Sequence, residues 1–207
     1  LIMDNHGGPE SNLSNGWLSW YSSPGQVAAV EGYGTFFPNY RGSTGRGYDF
    51  SLSSYADPAG AEFEDISDGI IYLINANYAD ADRVAVTGGS YGGYASAWFA
   101  THPEFTKLVK ATIPFVGVSD LVAKRYLTDI PFEDEMVHMG DKVSEMRDLM
   151  HARSPITWAH ESKSAVLILH GENDTRVHPT QSQELYRALK MSGHPATRLI
   201  YYPNEGH

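Results

Sequence analysis

Six short runs of apolar, β-branched and aromatic residues, separated by longer amphipathic stretches, constrain this chain more than any other feature. The runs cover residues 1–4, 35–39, 83–87, 110–114, 165–170 and 197–202, and each reads as a strand. Between them the apolar residues recur at helical spacing. Residues 26–31 predict a short helix. Phe63, Ile66, Ile70, Ile71 and Ile74 mark one face of a longer one, with Asp and Glu gathered at its front end, where the helix dipole favours them. Residues 91–100 predict a helix of small residues that can pack close to a sheet. Residues 179–191 predict another, with Leu185 and Leu189 facing inward. Strand–helix alternation of this kind predicts an α/β fold, a mostly parallel central sheet with helices on both faces. Such sheets carry their chemistry at the carboxyl ends of the strands.

Bulk properties narrow the function classes. At 207 residues with 42% hydrophobic and 19% charged, the chain suits one domain with a sizeable core. A formal net charge of -10 argues against nucleic acid, which demands clustered Lys and Arg. There are no cysteines, so disulfides, thiol nucleophiles and Cys-based metal sites are excluded. No apolar run approaches the length of a membrane span. The histidines have no dense ligand spacing such as H-E-x-x-H, and neither a metal nor a cofactor is expected.

The residues after each predicted strand carry the chemistry. Run 83–87 leads into Gly88-Gly89-Ser90-Tyr91-Gly92-Gly93-Tyr94, and a predicted helix follows. This is G-x-S-x-G between strand and helix, the context in which a serine is held exposed on a strained turn. Ser90 is the candidate nucleophile, poised near a helix N-terminus where developing negative charge is favoured. A serine hydroxyl needs a base, and the base needs an orienting acid. The loop after run 165–170 offers two acids, Glu172 and Asp174. Three histidines follow: His178, His194 and His207. His178 shares the acid's own loop, and His194 precedes the last strand, at the opposite edge of the sheet. His207 follows that strand by a short loop and lies on the catalytic edge, so topology selects it as base. The first run ends in His6-Gly7-Gly8-Pro9, where Gly7 or Gly8 can lend a backbone N–H to a substrate oxygen. The N–H of Tyr91 is the expected second donor of this oxyanion hole.

Taken together, these segments resemble the catalytic domain of the prolyl oligopeptidase family of serine peptidases, which has the α/β-hydrolase fold. The resemblance rests on His6-Gly7-Gly8-Pro9, on Asn39-Tyr40-Arg41-Gly42-Ser43-Thr44-Gly45, and on the elbow from Gly88 to Tyr94. It also rests on His170-Gly171-Glu172-Asn173-Asp174 with Val177, and on Tyr202-Pro203-Asn204-Glu205-Gly206-His207. It looks nearest to the acylaminoacyl-peptidase and dipeptidyl-aminopeptidase branch. It implies that Asp174, not Glu172, is the acid, and that Arg41 is structural and paired with a carboxylate. It implies a substrate pocket near Tyr91, Tyr94 and residues 119–150. The implied activity is hydrolysis of short peptides or acylated amino acids through an acyl-enzyme, with a carboxylesterase as the alternative. Residues 1–207 are expected to form one catalytic domain, cut short at both ends, with a helical insertion near 119–153.

Overall fold

A computed structural model describes residues 1–18 and 23–207 of the chain. Its centre is a six-stranded sheet. The strands are β1 (Ile2–Asn5), β2 (Thr35–Phe36), β3 (Ala85–Gly89), β4 (Ala111–Phe115), β5 (Ala165–Gly171) and β6 (Thr197–Tyr202). They lie in the order β2-β1-β3-β4-β5-β6, and every neighbouring pair is parallel. All six predicted strands are present. The second is shorter than its apolar run, because only Thr35 and Phe36 pair with β1. Pro38, two residues beyond Phe36, has no N–H to continue a ladder.

The helices are α1 (Gly25–Val30), α2 (Tyr48–Ser51), α3 (Ala61–Asn75), α4 (Tyr91–Thr101), α5 (Leu121–Leu127), α6 (Pro131–Glu133), α7 (Val143–Ala152) and α8 (Thr180–Met191). A π-helical turn, Asp134–Met139, follows α6, and a 3-10 stretch, Pro155–Glu161, follows α7. Residues between β4 and β5 therefore fold as a run of short helices.

Sheet alternation builds the core. Met3, Val86 and Ile168 point under the helices and are fully buried. Phe63, Ile66 and Ile70 of α3 pack with Met3 and Val86, and with Tyr94, Trp98 and Phe99 of α4. Leu185 and Leu189 of α8 pack with Val166, Ile168 and two alanines of α4. Ile71 departs from the predicted apolar face: it is 41% exposed, one step round the helix from Ile70. On the other side of the sheet, Ile2, Asp4, Thr87, Ile113 and Leu169 line a cleft with Pro24, just before α1.

Two glycine contacts set how closely α4 approaches the sheet. A Cβ on Gly92 would overlap the Asn5 carbonyl oxygen, and one on Gly93 would overlap the backbone of Phe115 and Gly117. The first turn of α4 is thereby wedged between the ends of β1 and β4.

Candidate active site

Ser90 stands between β3 and α4 with φ 59° and ψ -116°, a backbone conformation that L-residues adopt only under constraint. Its N–H donates to the Phe115 carbonyl at 3.0 Å, and its carbonyl accepts from Tyr94 N at 2.9 Å. The turn is thus tied to β4 on one side and into α4 on the other. Tyr91, the first residue of α4, has an N–H without an acceptor in its own helix. Gly7 packs directly on the turn: a Cβ there would sit 3.1 Å from the Ser90 Cβ. Gly8, with φ +124°, lines the same cavity as Ser90.

The glycine loop is held from beneath. The His6 ring stacks on Tyr40 with centroids 4.4 Å apart. Its Nε2 meets Ser43 Oγ at 2.8 Å, and Tyr40 Oη donates to the His6 carbonyl at 2.6 Å. Arg41 in turn grips Asp65 of α3, with Nη2 to Oδ1 at 2.5 Å and Nε to Oδ2 at 2.9 Å. The segment 39–45 is therefore a bracket between the glycine loop and α3.

Asp174 and His207 meet at the carboxyl ends of β5 and β6. His207 Nδ1 lies 2.7 Å from Asp174 Oδ2. Asp174 Oδ1 accepts the backbone N–H groups of Arg176 and Val177, both at 2.9 Å. The carboxyl group is fully buried. Burial alone would raise its pKa. The hydrogen bonds from His170, His207 and the Val177 N–H outweigh burial and hold it well below the usual carboxylate range. His170 Nε2 is 3.3 Å from Oδ2, but its proton is aimed chiefly at the Val177 carbonyl, 2.7 Å away. Because Asp174 stays ionised and only accepts, His207 Nδ1 carries the shared proton, which makes Nε2 the acceptor nitrogen of the neutral ring. Gly171 makes the meeting possible, since a Cβ there would overlap the backbone oxygens of Glu205 and Gly206.

The remaining acid and histidines go elsewhere. Glu172 is exposed. His178 pairs with Thr180 Oγ1 at 3.0 Å, and His194 with Thr197 Oγ1 at 2.7 Å. Ser90, Tyr91 and His207 line one cavity of about 380 Å³, with Tyr94, Val118, Leu121 and Val177. Among the described residues, Ser90 Oγ makes no hydrogen bond, so the hydroxyl is uncommitted within the protein.

Several wall residues of this cavity were not singled out from the sequence, among them Lys124, Asp134, His138 and Glu10. Lys124 of α5 forms a buried ion pair with Asp134, the first residue of the π-helical turn. His138 lies 3.4 Å from both Asp134 and Glu10, the residue after the glycine loop. Burial lowers the His138 pKa, but the two carboxylates more than reverse this and push it up to about 9. Glu62 is another unforeseen group: its Oε1 accepts the Tyr91 hydroxyl at 2.8 Å, next to Ser90 in the chain's turn into α4. For Lys124, Asp134 and His138 the sequence offered only the expectation of a pocket near residues 119–150, and for Glu62 only the gathering of Asp and Glu at the front of its helix.

A model of the prolyl oligopeptidase family matches residues 19–207. Dipeptidyl aminopeptidase BIII of Pseudoxanthomonas mexicana is 34% identical over 100% of this chain and 30% of its own length. The acylamino-acid-releasing enzyme of Rattus norvegicus is 32% identical over 100% of this chain and 28% of its own. Among solved structures, an acylaminoacyl peptidase in complex with Z-Gly-Gly-Phe-chloromethyl ketone superposes with a TM-score of 0.88 at 30% identity. That match covers 100% of this chain and 32% of the other. The chain spans less than a third of the length of each of these proteins.

Proposed function

The chain belongs to the prolyl oligopeptidase family, and we propose that it is the catalytic domain of a serine peptidase, residues 1–207, with helices 119–153 as an insertion over the site. Its substrates are short peptides or acylated amino acids, cleaved through an acyl-enzyme on Ser90. The observation that carries this reading is the 2.7 Å bond between His207 Nδ1 and Asp174, in a site that shares one cavity with an uncommitted Ser90.

Ser90 Oγ attacks the scissile carbonyl while His207 Nε2 takes its proton. Asp174 holds the imidazole in that tautomer and stabilises the imidazolium. The Tyr91 N–H and an N–H of the Gly7-Gly8 pair receive the oxyanion. Each such donor is worth about 2.7–4 kcal/mol to the transition state. His207 then gives its proton to the leaving amine, whose C–N bond breaks. Water, deprotonated by the same histidine, hydrolyses the ester left on Ser90.

A fluorophosphonate probe followed by peptide mapping tests the nucleophile: Ser90 carries the label if the reading is right. Matched ester and aminoacyl-amide substrates test the bond type. Ester turnover without any amide turnover would replace the peptidase with an esterase.

A further inference from the structure

A second cavity adjoins the one that holds Ser90. It encloses about 300 Å³ and shares four wall residues with the first: Glu10, Pro58, Tyr91 and His138. Most of its remaining wall is apolar. Tyr48, Leu52 and Tyr55 come from α2 and the turn after it, and Met136 and Val137 from the π-helical turn. All five are open to solvent; Tyr48 is 76% exposed and Met136 69%. The catalytic scheme uses none of them. Five large apolar side chains around one concavity, beside a reacting serine, are surface that a ligand covers rather than a core.

The charges in this wall are already matched. Glu10 and His138 are the two charged residues among those that line it, and they face each other at 3.4 Å. The Tyr91 hydroxyl is taken by Glu62, and Ser51 Oγ donates to the Ser43 carbonyl at 3.1 Å. A charged ligand group would lose hydration here and meet no unpaired counter-charge. An apolar group would pack against tyrosine rings, leucine and a thioether and leave water behind.

Resting on the serine-peptidase reading, we infer that this second cavity takes an apolar side chain, that of leucine, methionine or phenylalanine, from the residue preceding the one at whose carbonyl the chain is cut. His207 hands its proton to the leaving amine, so the leaving half of the substrate runs past His207. Neither His207 nor Ser90 lines the second cavity. Pro9, next after the Gly7-Gly8 pair, and Tyr91, which supplies the other oxyanion donor, do line it. The cavity therefore adjoins the oxyanion hole on the acyl side. The residue at the cleaved bond fills the Ser90 cavity, and its predecessor reaches the next one.

The test separates binding from turnover. N-acetyl-Xaa-Ala amides, with Phe, Leu, Gly, Asp or Lys as Xaa, are titrated into the purified protein and followed by NMR. Phe and Leu bind about tenfold or more tighter than Gly, and Asp and Lys bind no better than Gly. Parity of Phe and Leu with Gly, including no detectable binding of any ligand, would overturn the inference, as would a charged ligand in first place. Intermolecular NOEs locate the side chain in the unmodified protein. Contacts from the Phe ring to the Leu52 and Met136 methyl groups are expected; contacts confined to Val118, Leu121 and Val177 would put the ring in the Ser90 cavity and overturn the assignment. Leu52→Asp changes an exposed residue that lines the second cavity and not the first. In that variant Phe falls to the level of Gly, and an undiminished preference in the folded protein would overturn the role of this wall. If it does not fold, Met136→Asp repeats the test from the facing segment, and the NOEs decide without either. A dimer that Leu52→Asp dissociates would give the surface to a second copy of the chain and overturn the inference too. The same side chains in Xaa-Ala-coumarin amides report the peptidase reading separately: an apolar preference in binding with no amide cleavage would fault that reading alone.

Discussion

His207 Nδ1 and Asp174 Oδ2 lie 2.7 Å apart across a sequence separation of 33 residues. The contact joins the loops after β5 and β6. Asp174 has four acceptor directions to fill, and two backbone N–H groups with the imidazole occupy three of them. Asp174→Asn keeps the shape but offers an amide N–H to the ring, which favours the wrong tautomer. Turnover should fall by a factor on the order of 10⁴ with little change in KM. Glu172→Gln, on an exposed residue of the same loop, should leave kcat within about twofold. Steady-state kinetics on one amide substrate compare the two, and the reverse ranking would remove Asp174 from its role.

Ser90 is held at positive φ, and its side chain contributes nothing to stability that offsets this. Ser90→Ala and Ser90→Gly should both abolish turnover. They should differ in stability. Alanine retains the strain, whereas glycine relieves on the order of 1–2 kcal/mol of it. Glycine's larger unfolded-state entropy subtracts part of that gain. The glycine variant should therefore melt above the alanine variant in a thermal scan. Equal or inverted melting temperatures would mean that the turn is not strained. Residual hydrolysis in either variant would move the nucleophile elsewhere.

The features legible in the sequence were those in which backbone geometry dictates residue type. G-x-S-x-G between a strand and a small-residue helix demands glycines wherever another backbone passes close by, and Gly92 meets Asn5 in that way. The position of His207 beside Asp174 was legible in the topology, because a parallel sheet puts every post-strand loop on one edge. The pairing of Arg41 with a carboxylate came only from the family resemblance, and nothing in the spacing pointed to Asp65. Other features depended on which helices meet. Glu62 and Glu64 look alike as first-turn acids, yet Glu62 is 1% exposed and Glu64 faces solvent. Lys124 and Asp134 sit on two short helical segments whose packing no local pattern encodes.

Gly92 allows a sharper test of the elbow than the nucleophile does. In an open helix, alanine would be favoured over glycine by about 0.8–1.0 kcal/mol. Here its Cβ would overlap the Asn5 carbonyl oxygen, a backbone atom fixed in β1. Gly92→Ala should therefore destabilise by at least about 3 kcal/mol, and activity should be lost with the turn. Gly34→Ala, where no atom lies within 4 Å of the added carbon, should stay within about 0.5 kcal/mol. Urea unfolding of both variants checks this, and a stable Gly92→Ala protein would mean that α4 does not approach β1 as described.

Glu62 gives the fold a pH dependence of definite sign. It is buried in α3 behind Tyr91, and Oε2 has no partner among the described residues. Burial raises its pKa from 4.5 to about 7, against the opposing hydrogen bond from Tyr91 Oη. In the unfolded chain it ionises near its ordinary value. Between about pH 4.5 and 7 the native state therefore binds more protons than the unfolded one. Stability must fall as pH rises through that window and level off above it. The shift corresponds to a loss on the order of 3 kcal/mol across the window. Glu184 and Asp4, raised to about 7 and about 6 by burial, add slope of the same sign. Glu62→Gln keeps an acceptor for Tyr91 Oη and removes the ionisation, so its unfolding free energy should fall less steeply from pH 5 to 8. Parallel pH profiles for the two proteins would show that Glu62 is ionised throughout that range, and that the site behind Tyr91 is wetter than its burial implies.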